Sequence, residues 1–284
     1  MMMNSVKSTT LYVSDMDGTL LNSQSAISPT TAAILSRVIS SGALFTVATA
    51  RTPATVVPLL SGVGVKLPYI VMTGAAMWNN STRGYECVRA FSPATVSHIC
   101  GIFERHGLHP LVYRRHGSFL EVHHTDDYSA QEQQFVAERQ NLELKRFMPD
   151  DPDYSQSPDD ALLIFSMQNY ESLRAVRNEI AATTQCSVMF YHDIFDPQSG
   201  ILELYAPGTS KSAAIATLAS RVGADRVVVF GDNRNDIDMM QHATHAVAVA
   251  GAVPETKAAA SEIIGSNDAD SVARWIENDF FSRQ

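Results

Sequence analysis

The chain has 284 residues, 45% of them hydrophobic and 18% charged, and its 21 basic and 30 acidic residues leave a formal charge of −9. That length suits about two domains, each with a buried core. The acidic balance excludes a surface built to attract nucleic acid or anionic membrane, so any anion site must be assembled locally from cations. No apolar run approaches the roughly 20 residues of a bilayer-spanning helix. The polar N-terminus, MMMNSVKSTT, lacks the apolar centre of a signal peptide. Cys87, Cys100 and Cys186 are widely spaced with no CxxC pair. They read as reduced, buried thiols of a cytoplasmic protein, with neither a disulfide framework nor a zinc site.

In chain order, Leu11–Ser14 reads as a strand that ends in two acids one residue apart, Asp15 and Asp17, followed by Gly18 and Thr19. A helix is predicted from about Thr30 to Ser40, with Ser28 as N-cap and Pro29 at its first position. ALFTVATAR is a strand of the continuous apolar kind, buried on both faces. A short helix begins near Pro53, and LPYIVMTGA is a third such strand. Strand–helix–strand–helix–strand implies a parallel sheet with right-handed crossovers.

From about Gly84 to Gly200 the pattern changes to α+β. HPLVYRR, SFLEVHH, ALLIFSMQ and CSVMFYHD read as strands. Helices are predicted near Pro93–Arg105, Ala130–Gln140 and Glu171–Thr183. Pro149–Asp160 is the most loop-like stretch and reads as a surface connection within this part. The first theme then returns: a helix in SKSAAIATLASRV, a strand in DRVVVFGD, a helix at DIDMMQHA, a short strand in HAVAVAG and a final helix in SVARWIENDF. The expectation is an α/β, Rossmann-like parallel-sheet core made of residues 1–83 and 201–284, with residues 84–200 inserted as an α+β domain.

Ligands of such sheets bind beyond the carboxyl ends of the strands. Four short segments stand there. Asp15 and Asp17 follow the first strand; Thr49, Ala50 and Arg51 follow the second; Gly231–Asp236 (GDNRND) follows RVVVF; Lys211 opens a helix. Asp, Gly and Thr are common turn residues, which accounts for one Asp but not for a second two residues on. Each segment alone is a weak signal, and their joint appearance in this order is a strong one.

Together these segments resemble the haloacid dehalogenase-like (HAD) phosphatases, and more narrowly their Cof-type branch. DMDGTL is similar to the family's first motif, ATAR to its second, the Lys of SK to its third and GDNRND to its fourth, while the middle part is similar to that branch's α/β cap. The resemblance implies Asp15 as nucleophile and Asp17 as acid/base. It implies Thr49, Ala50, Lys211 and Asn235 at the substrate phosphate. Asp15, Asp17 and Asp232 are implied as metal ligands, Asp17 through its backbone carbonyl, with Asp236 in support by a salt bridge to Lys211. Ala50 stands where the family commonly has Gly, and Thr73-Gly74 where it often has Asn-Gly. The implied reaction is hydrolysis of small phosphomonoesters, sugar phosphates or phosphorylated cofactors, through an aspartyl-phosphate. The chemistry of the residues agrees. Four converging carboxylates would raise one another's pKa unless a cation stood among them. Their all-oxygen donor set favours Mg²⁺ over zinc.

Other readings stand beside these. A phosphomutase would return the phosphoryl group to its substrate, and a phosphoacceptor signalling domain would not turn over at all. Arg51 reads equally as a substrate ligand or as half of an ion pair. His106, His109, His123 and His124 read as ordinary histidines, since no Cys or acid completes a site with them. Arg114, Arg115 and His116 read as a solvated hairpin tip, and Asp238, Met239 and Met240 as helix face and core. The sequence carries no signal of oligomeric state.

Overall fold

The computed structural model describes residues 9–125, 129–149, 154, 160–193 and 196–284. The chain divides into two compact units, one of Met1–Arg83 with Ser210–Gln284 and one of Gly84–Thr209. The first unit opens with β1 (Thr10–Ser14), whose four last residues are buried. Helix α1 (Pro29–Ser40) follows, with the Ser28 side chain accepting from the Thr31 amide and Pro29 at its first position. Then come β2 (Leu44–Val47) and α2 (Pro53–Leu60).

The third predicted strand differs from expectation. Only Tyr69–Val71 (β3) is extended. It touches the β2 segment through a single parallel bridge, Ala48 to Ile70. Met72, Thr73 and Gly74 all take positive φ, at 49°, 54° and 95°. The chain therefore reverses at once into β4 (Ala76–Asn79), which pairs antiparallel with β3. Sequence reading missed β4 because an apolar run gives no sign that its middle residues adopt the left-handed region.

The second unit begins with the short strand β5 (Gly84–Glu86) and α3 (Pro93–Arg105). The hairpin β6 (Leu111–His116) and β7 (Phe119–His124) follows, then α4 (Ala130–Arg139), β8 (Lys145–Pro149), β9 (Ala161–Asn169) and α5 (Tyr170–Thr183). Strands β10 (Ser187–His192) and β11 (Ser199–Tyr205) end it. Its six-stranded sheet has the order β10-β11-β9-β6-β7-β8. Helices α3 and α5 bury Ile99, Phe103, Val176 and Ile180 in one core with Val112, Ile164 and Leu202 of the sheet. A boundary at residue 200 would cut β11, which pairs with both β9 and β10, so the second unit continues to Thr209.

Local expectations in this unit are corrected in three places. Arg114 is no solvated tip: its Nε and Nη2 donate to Asp160 Oδ1 and Oδ2 at 2.8 and 2.9 Å. The hairpin turns instead at Gly117 and Ser118, and only His116 of the three basic residues is largely exposed. Most of Pro149–Asp160 lies outside the described residues. Among the described residues no cysteine is in a disulfide, but Cys87 is exposed and Cys100 and Cys186 are part-buried rather than buried; Cys87 follows directly on β5 with φ of 49°.

The chain then returns to the first unit with α6 (Lys211–Val222), β12 (Arg226–Gly231), α7 (Ile237–His242), β13 (His245–Ala248), α8 (Pro254–Ala259), β14 (Glu262–Ile263) and α9 (Ser271–Ser282). Of these, α8 and β14 are too short to leave a periodic signal. Met239 and Met240 are buried in α7 as core. The parallel sheet has the order β14-β13-β12-β1-β2. Val13 of β1 lies beside Val229 of β12 and Thr46 of β2, so all three strands end at one level.

One buried charge in the second unit is a cost. Lys145 is 5% exposed, and its Nζ lies 5.1 Å from the Tyr113 ring centre and 5.9 Å from those of Phe135 and Phe147. Burial, helped by the Arg139 guanidinium, pushes its pKa down to about 7. Between there and the ordinary 10.5 the unfolded chain keeps a proton that the folded one sheds, so stability rises with pH across that window. Lys145→Met should stabilise the protein by about 1–4 kcal/mol, the range for replacing buried ions by apolar groups. The gain should be greatest at pH 7 and below and shrink as pH rises. Urea unfolding at several pH values checks this, and a variant less stable at every pH would refute it.

Candidate active site

The site lies where β1, β2 and β12 end. The Asp15 amide donates to Phe230 O at 2.9 Å and the Ala48 amide to Ser14 O at 2.9 Å, which carries the sheet's ladder to the first acid. A tight turn over Met16–Leu20 follows. Gly18 sits in it at φ 74°, and a Cβ there would strike the Asp232 carboxylate, so no larger residue fits. From the same turn, Thr19 Oγ1 donates to Asp232 Oδ1 at 2.8 Å.

Past β12, Asp236 closes a short helical turn over Arg234–Asp236. Its Oδ2 accepts from the backbone amides of Asp232 and Asn233 at 3.0 and 3.1 Å. Its Oδ1 accepts from Lys211 Nζ at 2.7 Å, and Lys211 Nζ also donates to Asp15 Oδ1 at 2.6 Å. Lys211 is 1% exposed, Asp15 6% and Asp236 0%. The lysine is placed by its helix: Ser210 caps α6 by accepting from the Ala213 amide at 3.1 Å. Gly74, at φ 95°, lies so close that a Cβ would strike Ser210 O.

The electrostatics follow from burial. Burial alone would strip the Lys211 proton, but the Asp15 and Asp236 carboxylates outweigh it and hold the ammonium above its ordinary range. Burial pushes Asp15 up to about 8; Lys211 opposes this, while Asp236 and Asp232 add to it. Asp232 is raised to about 6, mainly by burial. Asp15, Asp232 and Asp236 each offer a carboxylate oxygen within 4.8 Å of the others, the one such group of three or more metal-binding side chains among the described residues. Three carboxylates against one ammonium leave an excess of negative charge, and every donor is a hard oxygen. The residues fit a divalent cation of the Mg²⁺ kind.

The remaining predicted residues are placed as follows. Thr49 is 1% exposed, and its Oγ1 accepts from the Arg51 amide at 3.1 Å. Ala50 adjoins it and is part-exposed, and Asn235 is exposed on the turn that carries Asp236. Asp17 does not join the carboxylate cluster through its side chain. Arg51 Nε and Nη2 donate to its two oxygens at 2.7 and 2.6 Å, and the Asp17 side chain is 54% exposed. Arg51 is therefore the ion-pair partner of Asp17. Thr19, inside DMDGTL, reads in the sequence only as a turn residue, with no sign of its bond to Asp232. Gly74 stood out only within Thr73-Gly74 and Ser210 not at all, because their contact is a backbone approach across 136 residues of chain.

Known proteins place the chain. A family model described as haloacid dehalogenase-like hydrolase matches residues 12–276. A Haemophilus influenzae protein, provisionally named a phosphatase, is 26% identical over 94% of this chain and 97% of its own. The pyridoxal phosphate phosphatase YbhA of Escherichia coli is 23% identical over 92% and 95%. A crystal structure of a haloacid dehalogenase-like hydrolase from Bacteroides thetaiotaomicron superposes with a TM-score of 0.76 at 22% identity, covering 95% of this chain and 99% of that one. The chain belongs to the haloacid dehalogenase-like hydrolase family and is a phosphatase.

Proposed function

We propose that this phosphatase hydrolyses small phosphorylated metabolites with Mg²⁺, through an aspartyl-phosphate on Asp15. The observation that carries the reading is the Lys211 ammonium on Asp15 Oδ1, inside a cluster of three carboxylates. That ammonium fixes one oxygen of Asp15 and leaves the carboxylate directed by its partners. A divalent ion held by Asp15, Asp232 and the Asp17 carbonyl would offset the remaining negative charge and polarise the phosphoryl group.

In the first step an Asp15 oxygen bonds to phosphorus, the ester P–O bond breaks and Asp17 gives its proton to the leaving oxygen. In the second, Asp17 takes a proton from water as that water attacks phosphorus, which frees phosphate and restores Asp15. Lys211, Thr49, the Ala50 amide and Asn235 are the donors for the phosphoryl oxygens. Phosphoryl transfer depends mainly on such positioning and electrostatics. Asp236 keeps Lys211 in place and protonated. Arg51 occupies both oxygens of Asp17, so proton transfer requires that at least one of those hydrogen bonds open.

The substrate class rests on relatives: one is named for pyridoxal phosphate and another, from Serratia proteamaculans, is named an HMP-PP phosphatase. Among the described residues no helix is long and apolar enough to cross a membrane. Three cysteines outside any disulfide among the described residues suit a reducing, cytoplasmic setting.

With Mg²⁺ present, the protein should release phosphate from both aryl and alkyl phosphates. Asp17→Asn should lose far more rate on alkyl than on aryl esters, since a phenolate leaves without a proton. General acids contribute about 10²–10⁴-fold, which sets the expected gap. Equal losses on both substrates would make Asp17 structural.

The pKa of Asp15 sets a second expectation. Because its folded value is raised, its contribution to stability is fully present below the unfolded value of 3.8 and is lost as pH rises toward about 8. Mg²⁺ binds the ionised cluster and competes with those protons. The rise in Tm on adding Mg²⁺ should thus be larger at pH 8 than at pH 5 by calorimetry. An equal or smaller rise at pH 8 would show that the cluster does not hold the ion.

A further inference from the structure

The turn that ends β3 does more than reverse the chain. Met72, Thr73 and Gly74 take positive φ in succession, and all three are buried. Only glycine adopts that region freely, and for a β-branched residue such as Thr73 it is an outlier. Residues persist there when their surroundings dictate the conformation, and they cluster at functional sites. The surroundings here are two segments of the active site: the Thr49–Arg51 loop after β2, and Ser210, the N-cap of α6.

On the first side, the Thr73 amide donates to Thr49 O and the Met72 amide to Arg51 O, both at 3.0 Å. In a trans peptide the C=O and the N–H point in opposite directions. Holding Thr49 O toward the turn therefore directs the Ala50 N–H, which belongs to the same peptide, away from it. That amide makes no hydrogen bond among the described residues. It is one of the donors that the phosphatase reading gives to a phosphoryl oxygen. On the second side, a Cβ on Gly74 would strike Ser210 O. Ser210 O accepts from the Ala214 amide at 3.2 Å, the bond that opens α6, and Lys211 is the next residue. The bare backbone of Gly74 thus lets α6 begin where Lys211 Nζ reaches Asp15.

We propose that the Met72–Gly74 turn is the positioning element of this active site, one buried backbone segment that both aims the Ala50 amide at the substrate phosphate and seats the helix that carries Lys211. This role rests on the phosphatase reading above. The turn acts through Thr49, Arg51 and Ser210 and takes no part in bond making itself. Ala50 and Lys211 lie in distant parts of the chain, yet both must meet one phosphoryl group. A misplacement of about 1 Å can cost about 10²-fold in rate, so a rigid support shared by the two donors has a direct catalytic value.

The test measures kcat on p-nitrophenyl phosphate, and the Kd of inorganic phosphate by calorimetry, with saturating Mg²⁺ and well below the Tm of each variant. Gly74→Ala forces Ser210 to move, so kcat should fall about 10²-fold and phosphate should bind more weakly. Gly42→Ala is the control. Gly42 also has positive φ, at 104°, but nothing lies within 4 Å of its Cβ position. That variant should lower Tm and leave kcat and Kd at wild-type values. Should Gly74→Ala fail to fold, exchanging the Thr73 N–H for an ester oxygen removes only the bond to Thr49 O. Phosphate affinity should then fall about tenfold, the scale of one lost hydrogen bond. Wild-type kcat and Kd in a folded Gly74→Ala or in the ester variant, or equal losses in Gly42→Ala, overturn the proposal. A wild-type protein that neither binds phosphate nor hydrolyses the aryl phosphate would refute the phosphatase reading itself, and this role with it.

Discussion

The site depends on one ammonium group with almost no access to water. Lys211 Nζ bridges Asp15 and Asp236 at 2.6 and 2.7 Å, and so ties together the end of β1, the start of α6 and the turn after β12. Removing three ions from water is costly, and their attraction offsets that cost only when the remaining hydrogen-bonding positions are filled. For Asp236 they are filled, since its second oxygen accepts from two backbone amides, and the Asp15 backbone is fixed by the sheet. Removing one member of such a cluster leaves an uncompensated buried charge, which typically costs 3–5 kcal/mol. The same bridge serves the chemistry, because it orients Asp15 and lowers the charge that a substrate phosphate meets.

The surplus of carboxylates gives that bridge its second consequence. With Asp232 added, three acids face one ammonium, and Asp15 is driven up to about 8. The cluster is thus arranged for a positively charged visitor. Gly18 and Thr19 serve this arrangement from within the motif, one by leaving space for the Asp232 carboxylate and the other by holding it at 2.8 Å.

Much of this was legible in the sequence, for physical reasons that can be named. Strands β1, β2 and β12 are buried on both faces, so they appear as unbroken apolar runs with acids or hydroxyls at their ends. Ser28–Pro29 announces α1 through capping. Other features left no local trace. β11 was missed because Glu203 interrupts its apolar pattern; in the fold that carboxylate is buried and accepts from the hydroxyls of Tyr191 and Tyr205. β4 depends on three successive positive φ angles. The pairing of Arg114 with Asp160 joins residues far apart in the chain, and short-range patterns cannot report it. Arg51 was left between two roles because its partner, Asp17, lies 34 residues away.

The central claim is that Asp15, held by Lys211, becomes covalently bound to phosphorus. The most direct measurement is to reduce the enzyme with borohydride during steady turnover of a phosphomonoester and to sequence its peptides by mass spectrometry. An acyl phosphate at Asp15 is reduced to the alcohol, so the account predicts homoserine at position 15, in turnover-dependent yield and not in substrate-free controls. An unmodified Asp15 in enzyme that was hydrolysing substrate at full rate would contradict it.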